Sequence, residues 1–179
     1  MAEFDKAIDV IMANEGGLVD HPYDPGGITK YGISYRFLSS LPEFHKIDHD
    51  YIRNLSPDEA KSIYKKYFWD PHQYSFISDQ GVATKVFDLC VNMGEYHAHK
   101  ILQKSINTTL MKKAVEVDGK IGPKTIKATN DCDPYELVEN ICTFACLRYK
   151  EIVESRPTSN VFLNGWLKRA NKVYGELHD

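Results

Sequence analysis

Apolar residues recur at helical spacing over most of the chain. Phe4, Ala7, Ile8, Ile11 and Met12 keep to one face at i, i+3, i+4 and i+7, and Glu15 continues that stripe at the end of the first predicted helix. From Gly16 to Gly32 the periodicity breaks. Five glycines and two prolines there predict a turn-rich excursion with a short β-hairpin, and helix returns near Ser34. Ser56-Pro57-Asp58-Glu59 supplies a capping hydroxyl, a proline at the first helical position and a glutamate placed to bond back to the cap. The helix it starts carries Ala60, Ile63, Tyr64, Tyr67 and Phe68 on its apolar face. Val82, Val86, Phe87, Cys90 and Met93 mark another, in which Asp88 and Asn92 share one face four residues apart. Ala98, Ile101, Leu102 and Ile106 give the next, and Pro123 opens a short helix after a tight turn at residues 117–123. Asp133-Pro134-Tyr135-Glu136 caps a long helix through Val138, Ile141, Ala145, Tyr149 and Ile152, which must stop before Pro157. Phe162, Trp166, Arg169 and Val173 carry the last. The pattern predicts a mainly α fold of about seven helices with one small β-hairpin, without the βαβ alternation of a Rossmann-like sheet.

Composition narrows this picture. With 179 residues, 42% of them hydrophobic, the chain can bury one core or two small lobes sharing one. No run approaches the roughly 20 apolar residues needed to cross a bilayer. Met1-Ala2-Glu3-Phe4-Asp5-Lys6 lacks the basic and apolar regions of a secretory signal, so neither stable membrane insertion nor Sec export is expected. The cysteines at 90, 132, 142 and 146 lack CxxC spacing and are expected as buried thiols rather than disulfides or zinc ligands. The net charge of −3 is unevenly spread: residues 1–94 carry 9 basic and 14 acidic side chains, 95–130 carry 7 and 3, and 131–179 carry 6 and 8. The basic middle segment suits an anionic polymer such as a cell wall or nucleic acid, or is a solvated lysine face.

Glycoside hydrolysis needs an acid to protonate the leaving oxygen and usually a second carboxylate to activate water or stabilise positive charge. Glu15 beside the apolar stripe and Asp24 among glycines form the natural pair, with the Thr29 hydroxyl placed to orient a water. On spacing alone, a helix C-cap with Gly16 left-handed and Glu15 in an exposed last turn competes with this reading. Tyr31 lies either beside a cleft or in hairpin packing, and Asp88 and Asn92 either face a groove or satisfy buried backbone. Trp69 and Trp166 sit in apolar helical contexts that favour core over sugar stacking. His45, Asp48, His49 and Asp50 read as a solvated loop rather than a metal site. Asp118-Gly119-Lys120 lacks the glutamate of a calcium loop, the twelfth position being Thr129, and Cys90 continues a buried stripe rather than pairing with His97 or His99 as a nucleophile.

Two stretches, Glu15-Gly16-Gly17-Leu18-Val19-Asp20 and Asp24-Pro25-Gly26-Gly27-Ile28-Thr29-Lys30-Tyr31-Gly32-Ile33, closely resemble the signature of the glycoside hydrolase family 108 muramidases, found as phage endolysins and as bacterial or prophage homologues. The resemblance continues through residues 63–70 and Asp88-Leu89-Cys90-Val91-Asn92-Met93-Gly94. It then enters that family's predicted peptidoglycan-binding part at residues 118–125, Arg148-Tyr149 and Gly165-Trp166-Leu167-Lys168-Arg169. It implies a lysozyme-like helical fold, with a catalytic lobe over 1–94 and a peptidoglycan-binding lobe over 95–179 packed with it as one compact unit. It also implies Glu15 as the catalytic acid. The nine-residue interval from Glu15 to Asp24 is similar to that of phage-type lysozymes, and Thr29 falls one residue earlier than in that pattern. Leu18 departs from a position that is often aromatic. The expected activity is that of an N-acetylmuramidase cutting between N-acetylmuramic acid and N-acetylglucosamine, with catalytic Glu15, Asp24 and Thr29 and substrate contacts from Tyr31, Asp88 and Asn92. No cofactor, metal or nucleic acid is expected. A monomer made in the cytoplasm would act on peptidoglycan strands at the wall after a holin or an export system opened a route. The rival expectation is a noncatalytic wall-binding or secretion-assisting module that keeps the fold.

Overall fold

The computed structural model describes residues 1–19 and 28–175. The first apolar stripe forms α1 (Phe4–Glu15), with Ala7, Ile8 and Ile11 wholly buried. The chain divides into two compact units, one of residues 8–67 and the other of residues 1–7 with 68–179.

In the smaller unit α1 leads to a two-stranded antiparallel hairpin, β1 (Thr29–Lys30) and β2 (Ile33–Ser34). Three short helices follow: α2 (Tyr35–Ser39), α3 (His49–Asn54) and α4 (Pro57–Tyr64). Each begins at a side chain that accepts a backbone N–H, respectively Ser34, Asp48 and Ser56, and Ser56 with Glu59 closes the full capping box expected from the sequence. Ile28, Ile33, Leu38, Ile52, Leu55, Ala60, Ile63 and Tyr64 are its buried residues beyond α1 among those described. A π-helical turn, Lys65–Trp69, succeeds α4 where a continuous helix was expected.

The larger unit is built around α5 (Gln80–Met93), capped by Asp79, in which every residue from Gly81 to Cys90 is buried. A helix buried all round lies at the centre of its layer. It packs on α6 (Glu95–Thr109) and on α8 (Pro134–Ser155), which itself packs on α6 and on α9 (Asn160–Ala170). The shorter α7 (Pro123–Asn130) starts at its proline as expected and lies against α6. Helix α8 stops two residues before Pro157, with Arg156 at φ −138° and ψ 83°, because a residue preceding proline is driven out of the α region. Helix α9 ends before Val173, which the sequence pattern included. The buried Lys85 ammonium donates to the carbonyls of Arg169, Ala170 and Lys172 at 3.0, 2.6 and 2.8 Å, taking the acceptors that a continuing helix would need.

Nine α-helices and one small sheet among the described residues make the fold mainly α. The helix count exceeds the expected seven. Helix α3 takes up His49 and Asp50 from the stretch of His45, Asp48, His49 and Asp50 that read as a loop. Asp48 caps it, Asp50 pairs with Arg53 at 2.6 Å, and six residues are too few for an apolar period to register. Cys90, Cys132 and Cys142 are buried free thiols, and Cys146 is half-buried.

Candidate active site

The hairpin is shaped by its turn. Lys30 pairs with Ile33, leaving Tyr31 and Gly32 as a two-residue loop, both at positive φ, 52° and 78°. This is the I′ pattern whose twist matches that of antiparallel strands. Glycine suits the second position, whereas a bulky residue at positive φ, as Tyr31 is, carries strain. The buried Tyr64 hydroxyl of α4 donates to the Tyr31 carbonyl at 2.8 Å and fixes the turn. On the other side of β1, Val19 and Thr29 exchange two backbone hydrogen bonds of 2.8 Å, joining the ends of the segment that carries Asp24. Asp24 itself lies outside the described residues.

Glu15 ends α1, and Gly16 follows in the left-handed conformation at φ 69°, so the helix cap read from the sequence is present. Glu15 is nevertheless half-buried rather than exposed. A β-carbon built on Gly32 would stand 2.7 Å from Glu15 Oε2, 2.9 Å from Glu15 Cγ and 2.6 Å from the Tyr64 hydroxyl. The carboxylate is therefore seated against bare backbone at the hairpin turn, where only glycine leaves room. Thr29, half-buried, holds the centre of the strand pair between Val19 and Ser34. The Tyr31 ring lies 5.4 Å from the Lys30 ammonium.

Asp88 and Asn92 belong to the larger unit and differ from one another. Asp88 is fully buried. Arg169 grips its carboxylate through Nε at 3.0 and 3.2 Å and Nη2 at 2.8 Å, and the Tyr174 hydroxyl donates at 3.0 Å. A side chain without exposed surface offers a sugar nothing, so Asp88 is an interior ion pair that ties α5 to the end of α9, not a groove residue. Asn92 is half-buried, accepts from the Tyr149 hydroxyl at 2.5 Å and lines a groove. Trp69 is core, edge-on to Phe4, Tyr74 and Phe87 at 5.3–5.7 Å. Trp166 is only half-buried and stacks on Tyr149 and Phe162. Sequence reasoning missed the roles of Gly32, Tyr64 and Arg169; for Arg169 the signal was a charge inside the final apolar stripe.

One cluster has donors of metal-binding type. His72, Cys90 and His99 bring their donor atoms within 4.8 Å of one another, His72 being absent from the pairings considered in the sequence. His99 Nδ1 donates to the Gly119 carbonyl at 3.1 Å, which leaves Nε2 to accept from the Tyr74 hydroxyl at 2.7 Å. Burial, aided by neighbouring His72, holds the His99 imidazole down at about 4, and burial pushes the Cys90 thiol up to about 12. Both are neutral near pH 7, and an ion would have to displace Tyr74 and strip a reluctant thiol of its proton. Asp118 is likewise engaged: its carboxylate accepts from Lys120 N and Gln103 Nε2, both at 2.8 Å, and the Lys120 N–H first, then Gln103, hold it below the usual carboxylate range.

With this geometry in place, residues 8–94 match the family model described as Glycosyl hydrolase 108, and residues 97–171 match the one described as Predicted Peptidoglycan domain. The chain is thus similar to a glycosyl hydrolase 108 domain in its first half and to a predicted peptidoglycan domain behind it. Among solved structures it is similar to SagA of Brucella abortus, with 29% identity and a TM-score of 0.75 over 93% of this chain and 88% of that one. This likeness supports the lysozyme-like helical fold expected from the sequence. No curated protein matches the chain. The glycosyl hydrolase 108 match contains Glu15, the hairpin, Tyr64, Asp88 and Asn92, and the peptidoglycan match contains α7, α8 and α9. No helix among the described residues is long and apolar enough to cross a membrane.

Proposed function

We propose that the chain is a peptidoglycan hydrolase of the N-acetylmuramidase type, cutting the β-1,4 bond between N-acetylmuramic acid and N-acetylglucosamine. The observation that carries this reading is the seat of Glu15: a carboxylate at the end of a buried helix stripe, against a glycine turn anchored by Tyr64, inside the glycosyl hydrolase 108 match. Glu15 protonates the leaving glycosidic oxygen, Asp24 activates water or stabilises the positive charge that develops, and Thr29 positions that water. Tyr31 and Asn92 are the remaining candidates for sugar contact. Residues 1–94 form the catalytic part and 95–179 the part that holds the wall. The enzyme works as a monomer without cofactor, reaching the wall from the cytoplasm through a holin or an export system.

Glu15→Gln keeps the side chain's shape and removes the transferable proton. The expected outcome is loss of new reducing ends from purified peptidoglycan, with an unchanged circular dichroism spectrum. Undiminished release by the purified variant would remove Glu15 from the mechanism. Wall binding by wild type without any reducing ends would favour a noncatalytic module instead.

A further inference from the structure

The larger unit contains a groove of about 460 Å³ formed by the end of α5, the start of α6, the second half of α8 and α9. Resting on the peptidoglycan reading above, we infer that this groove binds the carboxylate-bearing muramyl peptide portion of the polymer, with Arg148 and Arg156 as the carboxylate ligands.

One wall is aromatic. The Trp166 ring lies 5.2 Å from Tyr149 at 24° and 5.7 Å from Phe162 at 29°, and Phe162 is 58% exposed, so a flat apolar surface meets solvent at the groove edge. Such surfaces suit the apolar face of a sugar ring or a methyl-bearing substituent. The other wall is cationic and oriented. Arg148 Nη2 donates to His97 Nε2 at 3.2 Å and Nη1 donates to the exposed Glu151 carboxylate at 3.2 Å, an ion pair a ligand carboxylate would share or replace, while the buried Nε has no hydrogen-bond partner among the described residues. His97 is held below its usual range by burial first and by the Arg148 charge second, so it stays neutral and accepts from the guanidinium rather than repelling it. Arg156 adds a second, exposed guanidinium where α8 ends. Asn92, its oxygen taken by Tyr149, presents its amide nitrogen as a donor.

Two guanidinium forks beside a stacking surface ask for carboxylates in planar, bidentate geometry. Muramyl peptides carry such carboxylates on a short stem peptide attached to a sugar; a neutral N-acetylglucosamine oligomer carries none. Nucleic acid fits less well, because residues 131–179, which supply both arginines and all three aromatic rings, hold 8 acidic against 6 basic side chains. That balance suits a short ligand with discrete charges rather than a polyanion.

The test uses the full chain with Glu15→Gln, so that ligand persists. Isothermal titration compares N-acetylmuramyl-L-alanyl-D-glutamate, which has two free carboxylates, with chitotriose. The muramyl peptide should bind, and the double substitution Arg148→Ala with Arg156→Ala should weaken it at least about tenfold, the scale of one lost charge-assisted hydrogen bond. Arg148→Lys should restore only part, since a lysine lacks the fork. Fluorescence provides a second readout. Of the two tryptophans, Trp69 is buried, so a ligand-induced change should vanish in Trp166→Phe. Equal affinity for the double variant and its parent, equal affinity for chitotriose, no binding by the parent, or a signal that survives Trp166→Phe would each overturn the inference. Groove binding intact in a wild type that releases no reducing ends would sink the hydrolase reading alone. Hydrolysis with binding indifferent to both arginines would sink this inference alone.

Discussion

Gly32→Ala probes the seat of Glu15 most directly. At φ 78° an L-residue carries a left-handed penalty of about 1–2 kcal/mol before any contact is counted. The added methyl then meets the Tyr64 hydroxyl at 2.6 Å, Glu15 Oε2 at 2.7 Å and Glu15 Cγ at 2.9 Å, all closer than a β-carbon tolerates, so at least one neighbour moves. Tyr64 is buried and can step aside only by releasing the Tyr31 carbonyl, a further cost of about 1 kcal/mol. Glu15 is the tip of a longer, half-buried side chain and yields more easily. Overpacking adds about 1 kcal/mol by either route, for a total of about 2–4 kcal/mol.

The two routes leave different traces. If Glu15 gives way, stability falls by the lower figure, while displacing the proposed acid by about 1 Å costs on the order of 10²-fold in rate. If Tyr64 gives way, stability falls by the higher figure and the rate suffers less. Urea unfolding midpoints and reducing-end release separate them, with Tyr64→Phe combined with Gly32→Ala as the third variant. Deleting the hydroxyl removes one clash and leaves the one with Glu15, so the rate defect should persist in the double variant while part of the stability loss is relieved. A Gly32→Ala protein that unfolds at the wild-type midpoint and cleaves at the wild-type rate would refute the description of this seat.

Two further outcomes are expected. Asp88→Asn leaves the Arg169 guanidinium without its countercharge in the interior and should cost about 3–5 kcal/mol in chemical denaturation; full stability with a raised KM would return Asp88 to the substrate groove. His99, held at about 4 in the folded chain against an ordinary 6.5, binds fewer protons folded than unfolded between those values, so stability is complete above pH 6.5 and about 3 kcal/mol of it is lost as pH falls through 4. His99→Gln should flatten that slope in urea midpoints taken between pH 7 and pH 4.5, and a slope equal to wild type would rule His99 out as its source.

What the sequence made legible was local. The Ser56 box, the Asp133 cap and the proline openings of α4, α7 and α8 rest on residues within four positions of each other, and all appear where expected. The same locality explains the misses. Asp88 and Asn92 share a helix face, which suggested a shared groove. Arg169, 81 residues away, turns Asp88 inward, while Tyr149, 57 residues away, leaves Asn92 at the surface. Glu15 was legible as the end of a stripe, and Gly16 as its cap, but the seat on Gly32 needs Tyr64, whose hydroxyl reaches back 33 residues to the turn. No window of sequence contains that triangle.

The placement of α5 bears on how the two matched domains can be treated. It lies within residues 8–94, yet it packs on α6 and α8, which fall in or beside the peptidoglycan match. Val82, Val86, Phe87 and Leu89 are buried to within a percent. Burial of each such side chain is worth about 1.5–3 kcal/mol, and a domain's whole stability is only about 5–15 kcal/mol. Cutting the chain after Gly94 would expose part of that surface and cut the partners of Asp88 and Lys85 away with α9 and the segment after it. The boundary between the two matches, at residues 94 to 97, is thus not a boundary of folding. Glu15 and the hairpin sit in the smaller compact unit, while the last helix of the glycosyl hydrolase 108 match is held in place by the helices of the domain that follows it.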